Sequence, residues 1–396
     1  MSQKKIDIPK RLALAAESVY KFFHRGIAHL TGQMRKPMTA EIYYAFSHRL
    51  GISVKGRTLK IRQWRKPRPD DTRLRNLWQM LLLWATPERP NTRAVVRCEG
   101  FAEETRSDRE GYFEVMLPLE ANPDEPVTVE LPDAYASRPK EVKAIKPSTG
   151  ARCLIISDID DTVLITHAAR TLSMIGTTLF GNALTRQIFP GTPELYESLR
   201  EGASTSETEN NPFAYVTSSP YNLHGMLQLI FKENGIPNGA FFMTDWGLDH
   251  DKWLKRGHRE HKLTSIRQTL EWFPDLPAIL IGDSGQHDTH IYSEVAAEFP
   301  DRVAEILIRN VSDEKRIAEL QTGIEMIRDR GIGFTFFKNS REAADVLFQS
   351  GWINEDQHHA VELAFAEDDN PPIKEILEPL ERARDRVTES VKETVK

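Results

Sequence analysis

The sequence predicts an α/β fold, a doubly wound parallel sheet, preceded by an antiparallel β-sandwich domain. From Ala151 onward, short apolar runs alternate with longer helix-like stretches. The runs are "CLIIS", "FAYVTSS", "GAFFMT", "PAILIGD", "VAEILIRN" and "GFTFFKN"; "TPELYESLREG", "NLHGMLQLIFKENG" and "KLTSIRQTLEWF" lie among them. Strands buried on both faces read as continuous apolar runs, and helices between them make the sheet mostly parallel. Between residues 40 and 134 the pattern changes. There "ISVKGRTLKIRQW", "TRAVVRCEGFAEE", "GYFEVMLPL" and "PVTVELPD" are short, β-rich and separated by turn signals such as "SDREG".

In chain order, residues 1–39 form an amphipathic helical segment. Leu12, Ala16, Val19, Phe23, Ile27 and Leu30 share one face over residues 8–32, a stripe that packs on its own protein or lies on an anionic membrane. Residues 40–134 form the basic, sandwich-like domain. Inside it, "LRNLWQMLLLWATPERP" is an apolar interruption, and "KIRQWRKPRP" gathers basic side chains around Trp64. Residues 135–150 read as a linker, 151–350 as the α/β domain, and 351–396 as a charged helical tail fit for the surface or for a partner.

Composition bounds the function. Of 396 residues, 40% are hydrophobic and 28% charged, an ordinary water-soluble balance. Cys98 and Cys153 give neither a disulfide framework nor a zinc spacing, so a reducing, cytoplasmic setting is expected. No apolar stretch reaches the roughly 20 residues of a membrane span. Glu17 and Lys21 interrupt Arg11–Leu30, and no small-residue cleavage site follows, so it does not read as a signal peptide. The first hundred residues carry 21 Lys+Arg against 7 Asp+Glu, and the remainder carries 31 against 51. This asymmetry points the front of the chain at something anionic, with a peripheral membrane surface preferred and no nucleic acid expected.

The chemistry sits at the ends of the apolar runs. After "CLIIS" come Asp158, Asp160, Asp161 and Thr162; after "FAYV" come Thr217, Ser218 and Ser219; after "PAILIG" comes Asp283, with Asp288 beyond it; Lys262 opens "KLTSIRQTL". Ligands of open α/β sheets bind outside the carboxyl ends of the strands. Acids placed there need a cation or solvent, because burying unpaired carboxylates is costly. A carboxylate can attack phosphorus, a second can move the proton, and hydroxyl and ammonium groups can hold phosphoryl oxygens. His250, His258 and His261 do not have the spacing of a zinc helix; they lie in a charged run with Lys252, Lys255, Arg256 and Arg259 that is read as attracting anionic substrate.

"DIDDT", "YVTSSP", "HKLTSI" and "LIGDSGQHD" resemble the four ordered motifs of haloacid-dehalogenase-superfamily phosphatases. More closely, "SDIDDTVLIT", "TSSPYNL", "TDWGL", "HKLTSI" and "ILIGDSGQHDTHIY" resemble the catalytic domain of actin-patch-protein-type phosphatidate phosphatases, over roughly residues 150–312. "VKGRTL" and "SDREGYFEV" resemble, more weakly, the domain that often precedes it. The resemblance implies a haloacid-dehalogenase-like fold in which Asp158 is the nucleophile and Asp160 the general acid/base. It implies Mg2+ held by Asp158, the Asp160 carbonyl and Asp283, with Asp288 supporting through water. Thr217, or Ser218 beside it, would bind the phosphoryl group and Lys262 would neutralise it; Asp161 is expected to cap or face solvent. "HAARTLSMIGTTLFGNALTRQIF" would form a small helical cap whose apolar mouth suits a lipid. The implied reaction converts phosphatidate to diacylglycerol and phosphate. The alternatives are a soluble phosphomonoester substrate and an inactive scaffold or membrane-binding protein.

Overall fold

The computed structural model of the chain describes residues 37–61, 89–165, 188–244, 256–285, 287–311, 324–325 and 327–369. The amphipathic helix, Trp64 with most of its basic run, most of the apolar interruption, the cap up to residue 187, the loop with His250, Lys252 and Lys255, and the tail beyond 369 lie outside the described residues.

The α/β sheet contains all six strands read from the apolar runs: β8 (Leu154–Ser157), β9 (Phe213–Pro220), β10 (Ala240–Thr244), β11 (Ala278–Asp283), β12 (Val303–Arg309) and β13 (Gly333–Phe337). Its order is β10-β9-β8-β11-β12-β13, and every pairing is parallel. The chain winds outward from β8 in one direction through β9 and β10, then returns to the other side of β8 with β11. This reversal makes the sheet doubly wound and opens a crevice at the carboxyl ends of the central strands. Helices α1 (Thr192–Glu201), α2 (His224–Glu233), α3 (Arg256–Trp272), α4 (Asp288–Glu298), α5 (Ser340–Gln349) and α6 (Glu355–Asp369) connect and cover it. Leu154, Ile155 and Ile156 are fully buried, as a central strand covered on both faces requires.

Ahead of it lies a two-sheet sandwich. One sheet has the order β1-β2-β5, from β1 (Met38–His48), β2 (Gly51–Lys60) and β5 (Tyr112–Leu117). The other has the order β4-β3-β6-β7, from β4 (Phe101–Arg106), β3 (Arg93–Cys98), β6 (Val127–Glu130) and β7 (Lys140–Val142). All pairings are antiparallel. Met38, Ile42, Ile52, Val54, Val96, Val115, Val127 and Val129 fill the space between the sheets. Glu99 and Gly100, with φ of 38° and 84°, make the tight β3–β4 turn. Cys98 and Cys153 are buried free thiols.

Two features escaped the sequence reading. Strand β1 shows no clean alternation, because it serves two cores. Its register slips between Ile42 and Tyr44, and Tyr43, Tyr44 and Phe46 join the core of the α/β domain while Met38, Ala40 and Ile42 join that of the sandwich. The segment read as a linker is also strapped down. It contributes β7, and Ile145 exchanges backbone hydrogen bonds of 2.8 Å with Ala45 and Ser47 of β1. At the far end, the charged tail begins as α6, packed on α1 and α5; Gln357 donates to the Gly202 carbonyl at 3.0 Å, and His358 meets Asp345 at 2.6 Å.

Candidate active site

Asp158 is the first residue past β8. Its amide donates to the Ile281 carbonyl of β11 at 2.9 Å, so the sheet itself fixes its position. The chain then turns back within a few residues: the amides of Val163 and Leu164 donate to the Ile159 carbonyl at 2.9 and 3.0 Å, and that of Asp161 to the Leu164 carbonyl at 2.8 Å. Asp161 adopts a left-handed φ of 59°, which Asp tolerates better than most residues. It is 4% exposed, so of the two expectations for it, capping or facing solvent, the second does not hold. The Ser157 hydroxyl donates to the Asp158 carbonyl at 2.7 Å and lies 2.8 Å from the Tyr196 hydroxyl of α1.

Lys262, in the second turn of α3, reaches this loop. Its ammonium donates to Asp158 Oδ1 at 2.9 Å and to Asp288 Oδ1 at 2.5 Å. Asp288 opens α4, and Asp283 closes β11; the Asp283 amide faces Asp288 Oδ2 at 3.4 Å, and the Gly285 amide donates to Asp283 Oδ1 at 2.6 Å. Gly282 permits this closeness, since a Cβ there would stand 2.8 Å from both Asp288 Oδ2 and the Tyr292 ring. Asp158, Asp283 and Asp288 are fully buried, and each offers an oxygen within 4.8 Å of the others.

Burial raises the Asp158 carboxyl well above its usual range; Lys262 opposes this, and the charges of Asp288, Asp283 and Asp160 add to it. Burial alone would depress Lys262, but Asp158, Asp288 and Asp283 outweigh it and hold the ammonium protonated far above its ordinary value. One lysine among three buried acids leaves an excess of negative charge. The donors are all hard oxygens, so the three carboxylates suit a hard divalent cation. In this cluster Asp288 is a direct neighbour of Asp158 and Asp283.

Asp160 stands apart from that cluster and is half-buried. Its Oδ2 accepts from the hydroxyls of Thr217 at 2.9 Å and Ser219 at 2.7 Å. The Thr217 hydroxyl in turn accepts from the Ser219 amide at 3.0 Å, and the Ser218 carbonyl accepts from the Thr244 hydroxyl at 2.7 Å. The structure thus brings Asp158, Lys262, Asp283 and Asp288 into one buried group and sets Asp160 beside it on a hydroxyl pair. Ser219 was missed as a site residue; its signal was the third hydroxyl in "TSS" at a strand end.

Arg309 was also missed. It ends β12, is 2% exposed, donates to the Thr162 carbonyl at 3.0 Å and to the Thr192 hydroxyl at 3.2 Å, and lies 4.0 Å from the Phe189 ring centre. Burial lowers its pKa to about 10. It supports the back of the Asp158 loop, and its place at the end of a strand was the available clue. His261 faces the Phe242 carbonyl at 3.4 Å and burial pushes it down to about 4, which suits a neutral packing residue. Arg259 pairs with Glu294 of α4 and so ties two helices, where the sequence reading had it attracting substrate.

With this geometry in hand, known proteins give the arrangement a place. Residues 153–310 match the family model described as "Phosphatidate phosphatase APP1, catalytic domain". The resemblance carried by the motifs is borne out. Phosphatidate phosphatase APP1 of Saccharomyces cerevisiae is 28% identical over 159 residues, which are 40% of this chain and 26% of that protein. An uncharacterised protein of Schizosaccharomyces pombe is 29% identical over 164 residues, 40% of this chain and 25% of its own. The chain thus spans about a quarter of the length of the curated relatives it matches. A carbohydrate acetylesterase of Xanthomonas citri, XAC1771, is 12% identical over 73% of each chain with a TM-score of 0.24, too low to bear on fold or function. The matched segment runs from Cys153, just ahead of Asp158, through Asp288 and Arg309, and so holds every residue of the buried cluster.

Proposed function

We propose that this protein is a magnesium-dependent phosphatidate phosphatase that works through an aspartyl-phosphate on Asp158. The observation that carries this reading is the buried Asp158–Lys262–Asp288–Asp283 cluster at the strand ends of the matched catalytic domain.

In the first step an Asp158 oxygen attacks phosphorus, the bond from phosphorus to the lipid oxygen breaks, and Asp160 gives its proton to that leaving oxygen. In the second, Asp160 takes a proton from water, the water oxygen attacks phosphorus, and the bond to Asp158 breaks, releasing phosphate. Two easier steps replace one hard one. Lys262 opposes the rise that burial imposes on the Asp158 carboxyl and offsets the phosphoryl charge afterwards. Thr217 and Ser219 hold Asp160 toward the leaving group. Because the Thr217 proton is committed to Asp160, weight shifts toward Ser218 as the hydroxyl that meets a phosphoryl oxygen. Asp158, Asp283 and Asp288, with the Asp160 carbonyl, would hold Mg2+, which when bound shields the phosphoryl oxygens from the carboxylates.

The lipid half of the proposal rests on the matched domain, on the apolar sequence at 167–189 and on the basic front of the chain. Among the described residues no helix is long and apolar enough to cross a membrane. A cytoplasmic protein docking peripherally on anionic lipid fits both facts, and each basic side chain near such a surface contributes about 1 kcal/mol. Salt-insensitive vesicle binding, unaffected by anionic lipid content, would remove the membrane part.

The test of activity is phosphate release from phosphatidate in mixed micelles, with magnesium and with chelator, beside glycerol phosphate and an aryl phosphate. Asp158→Asn is the control and should lose at least ~10³-fold in turnover. Magnesium-dependent preference for phosphatidate is the expected result. Turnover of the soluble esters alone keeps the chemistry and discards the lipid. An active Asp158→Asn protein discards the nucleophile.

A further inference from the structure

The sheet β1-β2-β5 turns one face to its own sandwich and the other to the catalytic domain. Toward the far edge of the α/β sheet this joint is apolar and aromatic: Phe46 meets Trp272 and Phe273 with ring centres 5.9 and 4.9 Å apart. Near the catalytic edge it changes character. Arg57, 3% exposed, donates from Nη1 to Asn222 Oδ1 at 2.8 Å and from Nε to the Glu110 carbonyl at 2.8 Å, with its guanidinium 4.3 Å from the Tyr112 ring centre. The Lys55 ammonium lies 5.9 Å from the Tyr221 ring centre and pairs with Glu114 at 3.4 Å. Tyr43 stacks on Tyr221 with ring centres 4.1 Å apart, and Glu41 meets His224 Nδ1 at 3.2 Å.

These four sandwich side chains all reach one short stretch, Tyr221, Asn222 and His224. Only Pro220 and Tyr221 separate Asn222 from Ser219, whose hydroxyl holds Asp160. That connection has little slack. Pro220 is extended at φ −75° and ψ 149°, its ring fixes φ, and Tyr221–Leu223 is a single 3-10 turn. A turn so short does not hold itself, so its place is set by what it packs on. Burying a guanidinium for adhesion alone is costly; it is warranted where its fixed fork of donors must place a partner.

We propose that Arg57 is a positioning residue, acting through Asn222 to hold Ser219 and so keep the Asp160 carboxylate beside Asp158. The β-sandwich is then part of the catalytic site. This rests on the catalytic roles given above to Asp158 and Asp160.

The test compares Arg57→Ala, Asn222→Ala and the double variant in the full chain, with phosphatidate in mixed micelles. Each single variant should lower kcat about tenfold and leave KM within about twofold, and the double should lose no more than the worse single. Arg97→Ala on the outer sheet, where Arg97 pairs with Glu130 at 3.3 Å, should leave kcat unchanged. Unchanged kcat in Arg57→Ala, or additive losses in the double variant, would overturn the inference. Hydrogen exchange reads it without turnover: the amides of residues 217–219, 221 and 222 should exchange about tenfold faster in Arg57→Ala. Unchanged exchange overturns the inference by itself. A wild-type protein that releases no phosphate from any ester overturns instead the functional reading, and exchange still decides this one.

Discussion

Opposite charges meet in two parts of this molecule with opposite consequences. On the outer sheet of the sandwich, Arg93 touches Glu104 at 2.6 Å across β3 and β4, and Arg97 touches Glu130 at 3.3 Å across β3 and β6, all in water. At the carboxyl edge of the α/β sheet, Lys262 touches Asp158 at 2.9 Å and Asp288 at 2.5 Å, all buried. The distances are alike, but the surroundings are not. Solvent screens the first set and leaves it worth little. The second set has lost its hydration and contains more acids than bases, so it is costly to keep and strongly coupled. Such an arrangement is better suited to chemistry than to stability.

Breaking the buried set should have the largest effect. Lys262→Met removes its ammonium and leaves three acids together. We expect stability in chelator to fall by about 3–5 kcal/mol, since an uncompensated buried charge remains. Turnover should fall roughly 10²–10³-fold. Denaturant melts with and without magnesium check the first, and phosphate release the second. An unchanged melt would mean that the cluster behaves like the surface pairs. Next comes Ser219→Ala, which leaves Asp160 with the Thr217 donor. About a tenfold loss of kcat and ~1 kcal/mol of stability are expected.

Glu305 sharpens the comparison as a buried acid that accepts from the Ser350 hydroxyl at 3.4 Å. Burial raises its pKa to about 7. Below about 4.5 it is protonated whether folded or unfolded, and no penalty arises. As pH climbs to about 7 the unfolded chain ionises while the folded one resists, so stability is lost across that window and stays lost above it. Glu305→Gln should therefore match the wild type near pH 4.5 and melt about 2–4 °C higher at pH 8. A constant difference across pH would dismiss the titration. The smallest effect belongs to the surface: Arg93→Ala should change neither the melting temperature nor turnover measurably.

Much of the α/β domain was legible in the sequence because its strands are buried on both faces. "CLIIS" and "PAILIGD" admit few other readings, and their terminal acids are conspicuous for being polar where an apolar run ends. Asp158, Asp160 and Asp283 were found this way, while Lys262 at a helix start and Asp288 in the loop beyond Asp283 came with the order of the motifs. Strand β1 was not, because a strand shared by two cores loses its alternation. The 135–150 segment reads as a linker from its Lys and Pro content, yet it pairs with β6 through β7 and reaches β1 through Ile145. Arg57 carried no signal at all; nothing in "VKGRTL" distinguishes an arginine that meets Asn222 from one that meets water.

The sequence by itself determined the strand-and-helix alternation, the order of the motifs and the kinds of groups available at the strand ends. Those follow from local preferences and from the periodicity that burial imposes on each segment. Tertiary structure alone decided which acid neighbours which, that Asp288 lies against Asp158 and Asp283, that Asp160 leans on two hydroxyls, and that the sandwich reaches the catalytic edge. Those are distances between residues far apart in the chain, set by sheet order and packing, and the charge balance of a buried site depends on distance and burial together.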